Sequence, residues 1–161
     1  MSSRPRADQP DVRPRDMTRE VPKVLYDELF ELSTEIAQPW VGASDEFDEE
    51  RAAAAFKKLE ALYQQRQRAS QPDPALTEAL ADFTDDASAA VALYELALQQ
   101  CAALPDEPRH TKRIAMARRL VDLGRRSDAA AQLMAARDEA SAIQDADALA
   151  EVREVLTACE V

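Results

Sequence analysis

Glycine, aromatic residues and long apolar runs are scarce in this chain of 161 residues, and each shortage excludes a class of function. The two glycines, Gly42 and Gly124, cannot build the glycine-rich loops that cradle phosphates or dinucleotides. No Phe, Tyr or Trp lies between residues 95 and 161, so the basic residues there lack aromatic partners for stacking bases. No apolar run reaches membrane-spanning length, and no apolar leader is evident. We expect neither nucleic-acid nor membrane binding.

Cysteine and histidine are also rare, which argues against a redox, metal or catalytic centre. Cys101 and Cys159 stand far apart in the chain with no second ligand at metal spacing, so no disulfide framework or zinc site is indicated. Two such cysteines fit a reducing compartment, and we predict a cytoplasmic protein. The single histidine, His110, has no acidic residue three or four positions after it, where Arg113 and Ile114 stand, and we interpret it as an exposed loop residue. We expect no catalytic residues, no metal and no cofactor.

Alanine is what the chain has in abundance. There are 32 alanines against twelve valines and isoleucines together. Alanine is the best helix former, whereas strands favour β-branched and aromatic residues. The composition therefore predicts an all-α protein whose helices approach one another closely.

The formal net charge of −11 is unevenly distributed along the chain. Residues 109–126 hold seven basic residues and one acid, residues 1–19 hold five arginines and three aspartates, and the remainder holds eight basic and 27 acidic residues. So acidic a surface attracts basic partners. Acidity also keeps an alanine-rich helical protein in solution, which is the simpler explanation.

Hydrophobic periodicity and capping residues divide the chain into a tail and one helical domain. Residues 1–19 contain three prolines and little apolar surface, so we predict a disordered basic tail. Residues 20–161 form a single predicted domain. Its expected helices are 22–38, 46–69, 75–83, 86–104, 109–123, 127–143 and 146–159.

Single residues mark several of these helix ends. We expect Asp85 or Asp86 to cap the fourth helix, Ser127 the sixth and Asp145 the seventh. Gly124 should end the fifth helix, because glycine readily adopts the left-handed conformation that stops a helix.

A spacing of small and large residues repeats along the chain. Ala90, Tyr94 and Ala97 form its first clear copy. The spacing recurs later as Ala129, Leu133 and Ala136, and a weaker copy precedes both as Ala52, Phe56 and Leu59. A small residue lets a neighbouring helix approach, and the large residue one turn on fills the space behind it.

The segment Met116 to Ala136 (MARRLVDLGRRSDAAAQLMAA) resembles the helical hairpin of the tetratricopeptide repeat. The resemblance covers about residues 85 to 143. The period, measured from Ala90 to Ala129, is longer than that of the family by about one helical turn, and the aromatic residue near the start of the first helix is missing. The resemblance implies a short α-solenoid of stacked hairpins, with the last helix as its cap. The alternative is another kind of helical bundle.

Members of that family bind peptides or proteins in a concave groove lined by the first helix of each hairpin. The resemblance would place Thr111, Ile114, Arg118 and Asp122 in such a groove. A Lys–Asn carboxylate clamp is not reproduced, because Ile114 and Arg118 occupy the corresponding positions. Trp40, in a Pro/Gly break, is either a partner contact or a plug for the first hairpin.

A strip of basic residues accompanies the predicted fifth helix. Its members are Arg109, Lys112, Arg113, Arg118, Arg119, Arg125 and Arg126. Lys112, Arg119 and Arg126 recur at every seventh position and should share one helical face. The strip either contacts an acidic partner or a phosphate, or it is a solvated face that pairs with the acidic neighbouring helices 86–104 and 127–143. We favour the solvated face.

These features together predict a non-catalytic protein–protein interaction module, an adaptor that binds a protein or peptide, and they are compatible with a homo-oligomer. The alternative is an acidic neutralising protein, such as an immunity protein or an effector or secretion chaperone, that sequesters a basic toxin or effector. An enzyme of unfamiliar type is the third hypothesis.

Overall fold

A computed structural model describes residues 23–38 and 46–159. Within them the fold is all-α and contains no strand. In this described part of the chain seven α-helices follow one another: α1 (Lys23–Ala37), α2 (Glu46–Arg68), α3 (Pro74–Asp82), α4 (Ala87–Gln100), α5 (His110–Asp122), α6 (Arg126–Ala142) and α7 (Ala146–Cys159). The predicted tail, Pro22 at the start of the first predicted helix and Trp40 lie outside the described residues.

Aspartate caps start three of the helices, as side-chain oxygens satisfy backbone N–H groups that lack helical partners. Asp73 accepts hydrogen bonds from the N–H groups of Ala75 and Leu76 at the start of α3. Asp86 accepts one from Ala89 in α4, and Asp145 accepts one from Ala148 in α7. The predicted caps of the fourth and seventh helices are therefore confirmed.

The fifth helix ends at the predicted glycine. Gly124 has a φ of +71° and donates to the carbonyl of Val121, while Arg125 donates to that of Leu120. This pair of bonds is a Schellman motif. Ser70 and Gln144 adopt the same left-handed conformation after α2 and α6. The expected cap at Ser127 is wrong, because the chain turns from Gly124 straight into α6 and Arg125 stands at the cap without a side-chain bond.

Helices adjacent in sequence pack against each other throughout, and α1 also contacts α3 as α5 contacts α7. Two groups of buried apolar side chains hold them together. The leucine cluster, from α1, α2 and α3, comprises Leu25, Leu29, Leu32, Ile36, Ala55, Leu59, Leu76 and Leu80. The alanine cluster, from α3 to α7, comprises Ala81, Ala90, Val91, Tyr94, Ile114, Met116, Ala117, Leu120, Ala129, Leu133, Ala136, Ala140, Ala148, Val152 and Val155.

The two stronger copies of the small–large spacing are buried. All six of their residues are at most 2% exposed, and all but Ala97 belong to the alanine cluster. The weaker copy is out of phase, because Ala55, and not Ala52, is fully buried one turn before Leu59. The spacing in α2 is therefore displaced by close to one helical turn.

No described helix combines the length and the apolarity that crossing a membrane requires.

Candidate functional site

A cavity of about 580 Å³ opens between the end of α3, α4, α5 and α7. Its lining mixes aliphatic with charged side chains: Asp82, Tyr94, Ala115, Arg118, Arg119, Val121, Asp122, Glu154, Val155 and Ala158. A cavity of this size takes a small ligand or one or two side chains of a partner. We call it the α5 groove.

Two of the predicted partner-binding residues line the α5 groove together. Arg118 and Asp122 lie one turn apart on α5, and both are exposed. An Arg118 Nη atom lies 3.0 Å from a Glu151 carboxylate oxygen on α7, in a surface ion pair. Asp122 has no ion pair or side-chain hydrogen bond within residues 23–38 and 46–159. Its charge therefore remains available at the groove.

The other predicted partner-binding residues are not part of this groove. Ile114 is 3% exposed and belongs to the alanine cluster, so its predicted place in a binding surface is wrong. The face of α5 that carries Ile114 and Ala117 packs inward, which removes Ile114 from contact with a partner. Thr111 is exposed but does not line the cavity. Trp40 lies outside the described residues.

Asp82 and Tyr94 form a hydrogen-bonded pair at the α5 groove. The Tyr94 hydroxyl donates to Asp82 Oδ1 at 2.6 Å. Asp82 is exposed as a residue, but partial burial of its carboxyl disfavours the charged form and raises its pKa to about 6. The Tyr94 hydrogen bond opposes this shift. Burial, together with the negative charge of Asp82, raises the pKa of Tyr94, so its hydroxyl stays protonated. Sequence reasoning missed this pair, because the two residues belong to different predicted helices and no local pattern links them.

Arg119 closes one side of the α5 groove through backbone contacts. Its Nη2 donates to the carbonyl oxygens of Asp82 at 3.1 Å and Thr84 at 3.2 Å. These bonds tie α5 to the C-terminal end of α3, where a cation is favoured by the helix dipole.

Lys112 is buried, which corrects the prediction that it lies on a solvated basic face. The residue is 1% exposed, and its ammonium donates to Glu78 at 2.8 Å, Glu107 at 2.8 Å and the Pro108 carbonyl at 2.9 Å. Three acceptors satisfy all three N–H donors. Burial alone lowers the pKa of Lys112, but the two carboxylates outweigh it and the pKa is raised. We call Lys112, Glu78 and Glu107 the buried ion cluster.

The rest of the basic strip is spread over several surfaces. Arg113 pairs with Glu139 on α6 at 3.0 Å, and Arg125 pairs with Asp128 at 2.7 Å. Arg109 donates to the Cys101 carbonyl at 3.1 Å. Arg126 begins α6, so it does not share one helical face with Lys112 and Arg119. The predicted seven-residue alignment is therefore wrong, because the turn at Gly124 interrupts the helix between Arg119 and Arg126.

His110 is also placed differently from its prediction. It is 5% exposed, and its Nε2 lies 3.2 Å from Asp145 Oδ2 at the start of α7. The backbone N–H of Ala148 is the main cause of a lowered pKa for Asp145. The acid is distant in sequence, and a search at helical spacing could not find it. Among the residues that the structure describes, no group of three His, Cys, Asp or Glu side chains could hold a metal ion.

Comparison with known protein families, with curated proteins and with solved structures finds no match to this chain.

Proposed function

We propose that this chain is a non-catalytic protein–protein interaction module, a tetratricopeptide-like adaptor that binds a segment of a partner protein in the α5 groove. The observation that carries the proposal is the groove itself. It has an aliphatic wall, formed by Ala115, Val121, Val155 and Ala158, beside charged residues on α3, α5 and α7. Binding sites for partner segments combine apolar contact with a few placed polar groups in this way.

The helix contacts support the solenoid part of the proposal. If α1–α2, α3–α4 and α5–α6 are successive hairpins, then α1, α3, α5 and α7 are the helices that line a common face. The direct contacts of α1 with α3 and of α5 with α7 fit that stacking. In this arrangement α7 covers the last hairpin, as a terminal helix of a repeat array must.

The titratable pairs support a binding role over a catalytic one. The Tyr94 hydroxyl donates to Asp82, and His110 contacts Asp145, the carboxylate that caps α7. Both pairs therefore have a structural role in joining helices. Cys101 and Cys159 are both free thiols. Because thiols stay reduced in the cytoplasm, we propose that the module acts there.

A second candidate function is neutralisation of a basic toxin or effector, as an immunity protein or chaperone. The net charge of −11 favours it, since a strongly acidic surface steers a basic partner into contact. This candidate makes a separate prediction: the partner is toxic when expressed alone, and co-expression of this chain restores growth. An adaptor has no such protective effect.

Blocking the groove tests the proposed function. Ala158→Trp fills the cavity from α7, whereas Ala131→Trp adds the same side chain to an exposed position on α6, which contributes nothing to the lining. We expect affinity capture from native lysate, read by mass spectrometry at two salt concentrations, to recover the same partner with the unmodified chain and with Ala131→Trp. Ala158→Trp should lose it. Equal recovery by all three proteins would exclude the groove as the binding site.

A further inference from the structure

The lining of the α5 groove carries more negative than positive charge. Its lining contains the carboxylates of Asp82, Asp122 and Glu154 and the guanidinium groups of Arg118 and Arg119. Arg118 pairs with Glu151, which is not part of the lining, whereas Arg119 stays at the groove and donates to the backbone carbonyls of Asp82 and Thr84.

The three carboxylates have few partners of their own. Within the described part of the chain, neither Asp122 nor Glu154 has an ion pair or a side-chain hydrogen bond, and Asp82 has only the Tyr94 hydroxyl on Oδ1. The cavity lining carries three carboxylates against two guanidinium groups, and the whole chain carries a net charge of −11. The groove is therefore complementary to a cation in both its local and its overall charge.

The aliphatic wall adds a requirement for shape. Ala115, Val121, Val155 and Ala158 line the same cavity as the carboxylates. Lysine and arginine side chains carry a cationic head on a methylene stem, and they bury the stem against apolar surface while the head stays among polar groups. A bare metal ion or a small ammonium ion would leave this wall uncovered.

We propose that the α5 groove takes an arginine or lysine side chain from a basic segment of the partner protein, with its head among Asp82, Asp122 and Glu154 and its stem against the aliphatic wall. This inference rests on the proposed function, because it names the occupant of the same groove.

Asp82 makes the interaction sensitive to pH. The charged and titratable groups around its carboxyl are Tyr94 from α4, Arg119 and Lys112 from α5 and Glu78 from its own helix, and the balance of burial and charge raises its pKa to about 6. Above that pH the carboxylate is ionised and attracts the cation. Below it the carboxyl is neutral, so affinity falls as the pH falls from 7.5 to 5.0.

The test measures binding of a defined probe to the full chain. The probe is a nine-residue peptide of alternating serine and arginine with a tetramethylrhodamine label, and its binding is followed by fluorescence anisotropy at low salt. A matched peptide with citrulline in place of arginine keeps the shape without the charge. We expect the arginine peptide to bind and the citrulline peptide to bind at least about fivefold more weakly, since each exposed ion pair contributes up to about that factor.

Groove variants locate the binding. Asp82→Asn, Asp122→Asn and Glu154→Gln should each weaken arginine-peptide binding by about two- to fivefold. Asp138→Asn removes the same charge from an exposed position on α6 and should leave binding unchanged. The unmodified chain should lose affinity between pH 7.5 and 5.0, and Asp82→Asn should lose clearly less. Asparagine still accepts the Tyr94 hydroxyl, and circular dichroism checks that each variant is folded.

Four results would overturn the inference. Equal binding of the arginine and citrulline peptides would show that charge is not recognised. Equal loss in Asp138→Asn would show a response to net charge alone. If the full chain with Arg4, Arg6, Arg13, Arg15 and Arg19 changed to Gln binds the peptide much more tightly, the occupant is the chain's own N-terminal segment. A protein partner that Ala158→Trp excludes but the arginine peptide does not displace would leave the proposed function standing and refute only the cationic side chain.

Discussion

The leucine cluster and the alanine cluster fill the space between helices in opposite ways. Six of the eight buried residues in the leucine cluster are leucines, which fill the space between α1, α2 and α3 with large side chains. Seven of the fifteen in the alanine cluster are alanines, which let α4 to α7 approach closely around a few large residues such as Tyr94 and Leu133. Alanine in this chain thus forms helix interfaces as well as favouring helices.

The two clusters meet on α3. Leu76 and Leu80 face the leucine cluster, Ala81 belongs to the alanine cluster, and Leu93 of α4 packs against both. The buried ion cluster crosses the same junction, because Lys112 on α5 bonds Glu78 on α3. The short third helix therefore joins the two kinds of packing, and substitutions on either side of it measure how differently they respond.

The largest effect is expected at the junction. Lys112→Met keeps most of the side-chain volume but leaves Glu78 and Glu107 without their cation. Removing one partner of a buried ion pair costs about 3–5 kcal/mol, and we expect a loss of that order in the free energy of unfolding by urea.

Lys57→Met, at an exposed position on α2, is the matched control and should change stability by less than about 0.5 kcal/mol. If Lys112→Met is as mild as its control, the buried ion cluster does not hold the junction together.

A cavity tests the leucine cluster. Leu29→Ala removes three buried carbon atoms from α1, and large-to-small changes in a core cost about 2–5 kcal/mol. Leu123→Ala, at a side chain that is 40% exposed, should cost much less under the same urea titration. Comparable losses at the two positions would mean that α1 contributes little to the packed core.

Added volume tests the alanine cluster. Ala136 is fully buried on α6, and Ala136→Leu forces a larger side chain between closely packed helices at a cost of about 1–3 kcal/mol. Ala131→Leu, on the exposed side of the same helix, should be nearly neutral in thermal unfolding followed by circular dichroism. A neutral Ala136→Leu would indicate spare room in the cluster and would weaken the contrast between the two modes of packing.

Local patterns predicted the helices well. The caps at Asp86 and Asp145, the end at Gly124 and the burial of Ala90 and Ala129 all follow from residues within one or two turns of each other. The site was predicted only in part. Helical spacing placed Arg118 and Asp122 on one face of α5, and both line the groove. The same spacing placed Ile114 there, but Ile114 is buried.

The sequence by itself determined the all-α class, the order of the helices and the small–large spacing, because propensity, capping and periodicity act between residues close in the chain. Only the tertiary structure decided that Lys112 is buried between Glu78 and Glu107, that His110 meets Asp145, and that Tyr94 holds Asp82 beside Arg119. Except for Glu107, which is five residues from Lys112, these partners are twelve or more residues apart in the chain. Such contacts depend on how the helices pack, which no local pattern encodes.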